Sequence, residues 1–282
     1  MSQTVITILN EKMQDALLHD FDEYLFEEKS GQHAGHYRGF LLNSVFQPIF
    51  ADELKTVIGY EALLRTSIGR SLPVEAKFVF RYIDDTGGLI LFDRICRTLH
   101  LLNFLLISNE RDLLFLNVHA GLLTRVDSHG MIFERILHSL SVPVNRVVIE
   151  FEESCLEDTS ILKRAVRNFR DRGFKIALSD FGKDRTSMQC LWEINPDFVK
   201  LDSAILYGAM NNEKIRRILP KVVGLIQEAG SEAVIQGVET LQQLDLARQC
   251  GARFLQGYAL SRPDFSVPGF MQKNTMELSR CA

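Results

Sequence analysis

The sequence predicts an α/β chain folded as a (β/α)8 TIM-like barrel with an irregular, antiparallel first strand. Eight short apolar runs, each carrying β-branched or aromatic residues, recur at 46–50, 57–64, 113–118, 147–151, 175–179, 198–201, 233–238 and 254–258. From the second run onward, each is separated from the next by a segment able to hold a helix, which is the alternation of a barrel of about 250 residues. Only six residues, Ala51 to Thr56, join the first two runs. A parallel crossover needs about a dozen, so these two strands are expected to be antiparallel.

Size and composition agree. A chain of 282 residues with 46% apolar and 24% charged residues can bury one large core. The apolar neighbourhood from Leu89 to Ile107 is interrupted by Asp93, Arg94 and Arg97, which argues against a membrane span. The first residues lack a basic region followed by an apolar block and a cleavage site. A soluble, cytoplasmic protein is expected, with no membrane association. A net charge of −4 supplies no field for duplex nucleic acid. Five scattered cysteines without a C-x-x-C pair suit reduced thiols.

In chain order, residues 1–40 read as a helical prelude, 41–270 as the barrel domain and 271–282 as a tail. The prelude is expected to hold a helix from Asn10 to Glu28, then a polar break at 29–33 that leaves His33 and His36 in a solvated loop. Several helix ends are legible. Asp158-Thr159-Ser160 offers cap oxygens before a helix at 161–172, with Gly173 as its stop. Glu239-Thr240 precedes a helix at 241–250, and Gly230 ends one at 215–229 in which Pro220 marks a kink or boundary. The stretch from Lys175 to Asp202 reads as strand, short helix from Met188 to Ile194, the turn Asn195-Pro196 and a second strand.

Polar residues collect at the carboxyl ends of the strands. They are Glu61 and Arg65, Asn117, Glu150 and Glu153, Ser179 and Asp180, Lys200 and Asp202, Gln236 and Glu239, and Gln256. In a barrel these positions converge on one mouth, the face where chemistry sits. Carboxylates and an amide oxygen aimed at one point suit a hard cation such as Mg²⁺ or Mn²⁺. Arg65 and Lys200 beside them suit phosphate oxygens. His100, His119, His129 and His138 share no spacing and read as surface or core residues.

These residues also carry a resemblance. Gln47-Pro48-Ile49, Glu61-Ala62-Leu63-Leu64-Arg65, Leu116-Asn117-Val118, Glu150-Phe151-Glu152-Glu153-Ser154, Asp180-Phe181-Gly182, Lys200-Leu201-Asp202, Gly237-Val238-Glu239-Thr240 and Gln256-Gly257-Tyr258 resemble, in order, the successive signatures of the EAL domain. The resemblance implies a barrel whose active members hydrolyse cyclic di-GMP with two Mg²⁺ or Mn²⁺ ions. It places Glu61, Asn117, Glu150 and Asp180 as metal ligands. Gln47, Leu63, Arg65, Asp84, Asp202, Gln256 and Pro263 become nucleotide contacts. Lys200 lies near the scissile phosphate, and Glu239, with Glu153, supports the catalytic loops.

Two positions depart from the family pattern. Ser179 stands where an aspartate bridges the two metals, and Gln236 where a glutamate holds the second. The loop after Gly182, Lys183 to Ser187, also differs. A serine hydroxyl is a poor ligand for Mg²⁺, and Gln236 offers a carbonyl without charge, so one Mg²⁺ or Mn²⁺ site is expected to survive and the second to be lost. The expected function is a degenerate EAL module that binds cyclic di-GMP, docks on a regulatory protein partner, or both, with a homodimer left open and with little or no hydrolysis. A working phosphodiesterase and an adaptor that no longer binds nucleotide are the alternatives.

Overall fold

A computed structural model of the chain describes residues 4–13, 20–51, 56–69, 71–152, 159–183 and 188–265. Ahead of the barrel come helix α1 (Val5–Met13) and strands β1 (Leu25–Glu27) and β2 (His33–Tyr37). The barrel strands are β3 (Phe40–Ala51), β4 (Val57–Ile68), β6 (Leu113–Asn117), β7 (Val147–Glu152), β8 (Lys175–Phe181), β9 (Phe198–Leu201), β10 (Glu232–Ile235) and β11 (Phe254–Leu255). A short strand β5 (Leu72–Val74) pairs on the outer end of β4. Helices α2 (Ala76–Asp85), α3 (Leu89–Ile107), α4 (Met131–Ser139), α5 (Thr159–Asp171), α6 (Met188–Ile194), α7 (Ser203–Asn211), α8 (Glu213–Glu228) and α9 (Leu241–Gln249) fall between the strands from β5 onward.

The sheet closes on itself in the order β3-β11-β10-β9-β8-β7-β6-β4, with β4 returning to β3. Strand β3 is antiparallel to both of its barrel neighbours, and the other barrel pairs are parallel. The expected seam is therefore present. Its register sets Gln47 opposite Glu61, so the two stand side by side on neighbouring strands.

Side chains alternate across a strand with period two, and this rule builds the barrel interior. Ile49, Phe115, Val148, Ala177, Phe198 and Val234 form a buried layer inside it, with Phe254 packed against them. Phe115 meets Phe198 edge to face, ring centroids 5.2 Å apart. Two residues further along the parallel strands stand Asn117, Glu150, Ser179, Lys200, Gln236 and Gln256, and two residues back along β3 stands Gln47. A polar layer thus sits on the apolar one. On β4 the lower position is Gly59, where a Cβ would run into the backbone and Cβ of Leu113. The outer faces of these strands pack on the helices to make the two larger cores.

The prelude differs from expectation. Helix α1 lies earlier than Asn10–Glu28, Phe21–Glu23 is a single 3-10 turn, and 25–27 is a strand. Residues 14–19 lie outside the described part. The cause is tertiary. The first half of β3 projects past the barrel and offers a free edge to β2, to which β1 then adds. Leu25 is buried while Phe26 is exposed, as a half-covered strand requires. His33 and His36 are accordingly in β2, not in a solvated loop. His33 is buried, its N–H donates to Asn103 Oδ1 at 2.8 Å and its carbonyl accepts from Asn103 Nδ2 at 2.8 Å.

Later element ends are closer to expectation. Helix α9 starts on a capping box, Thr240 Oγ1 accepting from the Gln243 N–H and Gln243 Oε1 accepting from the Thr240 N–H, each part stabilising by about 1 kcal/mol. Helix α8 runs through Pro220 without ending there. Asp158 lies outside the described residues. Cys96 and Cys250 are buried free thiols and Cys190 is buried, and no described helix is long and apolar enough to cross a membrane.

Gly59→Ala is expected to lower stability by roughly 2 kcal/mol or more, because the backbone of β6 has to move aside. Urea unfolding measures it, and a wild-type midpoint would refute the close approach of β4 and β6.

Candidate functional site

The polar layer closes around one atom. Lys200 on β9 is fully buried, and its Nζ lies 2.6 Å from Glu61 Oε2 on β4 and 2.8 and 2.9 Å from the two carboxylate oxygens of Glu150 on β7. Glu61 also accepts from Gln256 Nε2 at 2.9 Å and from Asn117 Nδ2 at 3.2 Å. Gln256 Oε1 in turn accepts from Gln236 Nε2 at 3.2 Å. The Ser179 hydroxyl lies 3.4 Å from the Phe151 carbonyl oxygen and hydrogen-bonds to Glu150. Gln47 Nε2 donates to the Ser261 carbonyl at 3.4 Å. The segment carrying Pro263 is tied over β3 by paired backbone bonds between Phe46 and Asp264.

Charge in this layer is tightly constrained. Burial pushes both carboxyls up. At Glu61 the Lys200 ammonium and the donors Gln256 and Asn117 outweigh it and hold the group below its ordinary value. At Glu150 burial prevails, and with the Glu61 charge it raises the pKa to about 7 despite Lys200. Lys200 is disfavoured by burial, yet the carboxylates keep its pKa above the ordinary value. With both acids ionised the trio carries one surplus negative charge.

Other expected residues lie apart from this cluster. Asp180, at φ 56°, pairs with Lys183 Nζ at 2.9 Å. Asp84, on α2, is ion-paired to Arg125. Asp202 caps α7, accepting from the Ala204 N–H at 2.8 Å. Glu239 is exposed, its N–H bonded to Gln243 Oε1 at 2.7 Å. Glu153 and the loop residues 184–187 lie outside the described part. Arg65, exposed and bonded to the Leu64 carbonyl, lines with Leu63 and Asn117 a cavity of about 430 Å³.

Two histidines set aside by spacing belong to the wall of that cavity. His119 stacks on Phe80 at 5.5 Å and 9°. His100 Nδ1 is 2.8 Å from Ser44 Oγ, and burial together with Arg97 lowers its pKa to about 3, so the ring is neutral. Only the packing of α2 and α3 on β4 assembles this wall, and no local spacing signals it.

Among the described residues, no group of three or more His, Cys, Asp or Glu side chains is placed to hold a metal ion. Glu61, Glu150 and the Asn117 amide oxygen are the hard donors that would hold one Mg²⁺ or Mn²⁺ ion, and both carboxylates are bonded to Lys200 Nζ. Ser179 and Gln236 are neutral, Gln236 Nε2 donates to Gln256 Oε1, and Asp180 is paired with Lys183.

An eight-stranded mixed barrel with a reversed first strand and a Glu-Asn-Glu-Lys-Gln mouth defines the class. The EAL domain model matches residues 38–263, and the chain belongs to the EAL domain family. It is 27% identical over 223 residues to the uncharacterized EAL-domain containing protein YkuI of Bacillus subtilis strain 168, covering 77% of this chain and 54% of that one. It is 27% identical over 233 residues to the cyclic di-GMP phosphodiesterase PdeL of Escherichia coli K12, covering 79% and 62%. The family therefore includes cyclic di-GMP phosphodiesterases, and the chain spans little more than half the length of these relatives. Klebsiella pneumoniae BlrP1, solved as a manganese and cyclic di-GMP complex, shares the fold with a TM-score of 0.69 at 24% identity, over 82% of this chain and 58% of that one.

Removing the central cation while leaving both acids buried is expected to cost about 3–5 kcal/mol. Urea unfolding of Lys200→Met at pH 8 measures it, and a loss under about 1 kcal/mol would contradict the trio. Glu150 adds a pH signature. Its pKa rises from 4.5 to about 7 on folding, so its contribution to stability is full below 4.5 and is lost as pH rises through about 7. Relative to Glu150→Gln at each pH, the wild type is expected to weaken between pH 5 and 8. A difference that is flat or grows with pH would show that Glu150 stays ionised.

Proposed function

We propose that this chain is a regulatory EAL module that binds cyclic di-GMP at the barrel mouth and hydrolyses it little or not at all. The observation carrying this reading is the Lys200 ammonium held between Glu61 and Glu150 at 2.6–2.9 Å, with Ser179 and Gln236 beside it contributing no charge. Two-metal hydrolysis holds its cations about 3.5–4 Å apart, which needs carboxylates between and around them. Here one anionic set exists, and an ammonium already occupies it.

Binding is better provided for. Among the described residues Arg65 has no carboxylate partner, and it lines the cavity with Leu63; Gln47, Gln256 and Pro263 would complete the nucleotide contacts. Asp84 and Asp202 reach a nucleotide only if their present partners are exchanged. The surplus negative charge and the oxygens of Glu61, Glu150 and Asn117 favour a second reading, a phosphodiesterase working with a single ion. Glu239, exposed beside the mouth, would then support its loop.

Calorimetric titration with cyclic di-GMP in Mg²⁺ or Mn²⁺ tests the choice. Expected are saturable binding, at least about tenfold weaker in Arg65→Ala, no linear dinucleotide released by the wild type, and hydrolysis gained by Ser179→Asp with Gln236→Glu. Wild-type turnover near about one per second would favour the phosphodiesterase, and absence of binding would leave a protein-docking module.

A further inference from the structure

Outside the barrel, the β1–β2 hairpin and the amino end of α3 enclose a cavity of about 600 Å³ that shares no residue with the polar trio at the mouth. That volume is within the range of about 300–1,000 Å³ usual for small-molecule sites. Three guanidinium groups, Arg38, Arg94 and Arg125, and two phenol rings, Tyr24 and Tyr37, line it.

The charges are poorly balanced. Arg125 is ion-paired to Asp84. Arg38 stands at the tip of the turn into β3 and donates to the Thr86 hydroxyl at 2.7 Å, a neutral acceptor. Arg94 is half-buried and, among the described residues, makes no ion pair and no side-chain hydrogen bond. Its neighbour Asp93 is held by Arg97 at 2.7 Å. Burial lowers the Arg94 pKa, only partly opposed by Asp93. The Glu23 carboxylate, from the adjacent 3-10 turn, is hydrogen-bonded with the Tyr24 hydroxyl. A cavity that holds a guanidinium without its counter-ion favours an anion from solution.

The backbone adds donors. Gly87 and Gly88 both lie at positive φ, 73° and 124°, and no side chain caps α3. The first amide of the helix with a helical acceptor is that of Phe92, on the Gly88 carbonyl, so the N–H groups of 89–91 have none. Gly88 is obligatory, since a Cβ would stand 2.6 Å from the Tyr37 hydroxyl and 3.1 Å from Arg38 Nη2. A 19-residue helix directs its positive end to the same space.

We propose that this cavity binds a mononucleotide, its phosphate monoester held by Arg38, Arg94 and the α3 amides, and its planar base against Tyr24. The half-buried Tyr24 ring supplies the face a base needs, backed by the buried Tyr37 ring 5.8 Å away, which itself lies under the Arg38 guanidinium. Inorganic phosphate would satisfy the cations but leave that face uncovered.

Calorimetry on the full chain with GMP, AMP, guanosine and inorganic phosphate tests the site. At least one mononucleotide is expected to bind saturably, guanosine not at all, and phosphate at least about tenfold more weakly. Arg94→Gln is expected to weaken the mononucleotide at least about tenfold, while Arg65→Ala at the barrel mouth leaves it unchanged. Arg38→Ala, at an exposed turn, carries the same expectation should Arg94→Gln melt below the wild type. Failure of both mononucleotides to saturate, phosphate binding as tightly as they do, or loss in Arg65→Ala with retention in both arginine variants would each overturn the assignment.

Discussion

A single buried ammonium sets the terms for the upper half of this barrel. Lys200 ties β9 to β4 and β7, strands that are not neighbours in the sheet, so its bonds cross the interior instead of running along the ladder. Isolated carboxylates at that depth would cost several kcal/mol each. The cation lets the polar layer exist on top of an apolar one. With both acids ionised it leaves the mouth one surplus negative charge, and with Glu150 protonated it leaves none.

The hydrogen bonds around it run in one direction. Gln236 donates to Gln256, Gln256 donates to Glu61, and Asn117 and Lys200 donate to the same carboxylate. Glu61 is thus saturated with donors while Glu150 depends on Lys200 and Ser179. This asymmetry explains why two glutamates on one lysine are shifted in opposite senses. A carboxylate at position 236 would reverse the first link, since it has no proton to give to Gln256.

Most of this was legible in the chain. The apolar-x-polar step at Phe115-x-Asn117, Val148-x-Glu150, Ala177-x-Ser179, Phe198-x-Lys200, Val234-x-Gln236 and Phe254-x-Gln256 is the period of a strand written at successive strand ends, and the short Ala51–Thr56 link dictated the reversed first strand. What stayed hidden depends on partners distant in sequence. Residues 25–27 look helical until the projecting edge of β3 offers ladder bonds, and His33 looks solvated until Asn103 claims its backbone. Asp180 shows a different limit. The family resemblance placed it among metal ligands, and nothing in the sequence signalled its left-handed backbone angle at the strand end or its pairing with Lys183. Asp84 and Asp202, likewise, are legible as residue types but not as partners of Arg125 and of the α7 amide.

The reversed strand has a mechanical corollary. Strands β3 and β4 each run for twelve residues, far longer than the others in the barrel, and form one stiff ribbon. Its inner half bears Gln47 and Glu61, and its outer half is paired with β2 and β5. The ribbon therefore runs unbroken from the prelude to the mouth, and because His33 fastens β2 to Asn103 of α3 as well, prelude, mouth and α3 are joined in one frame.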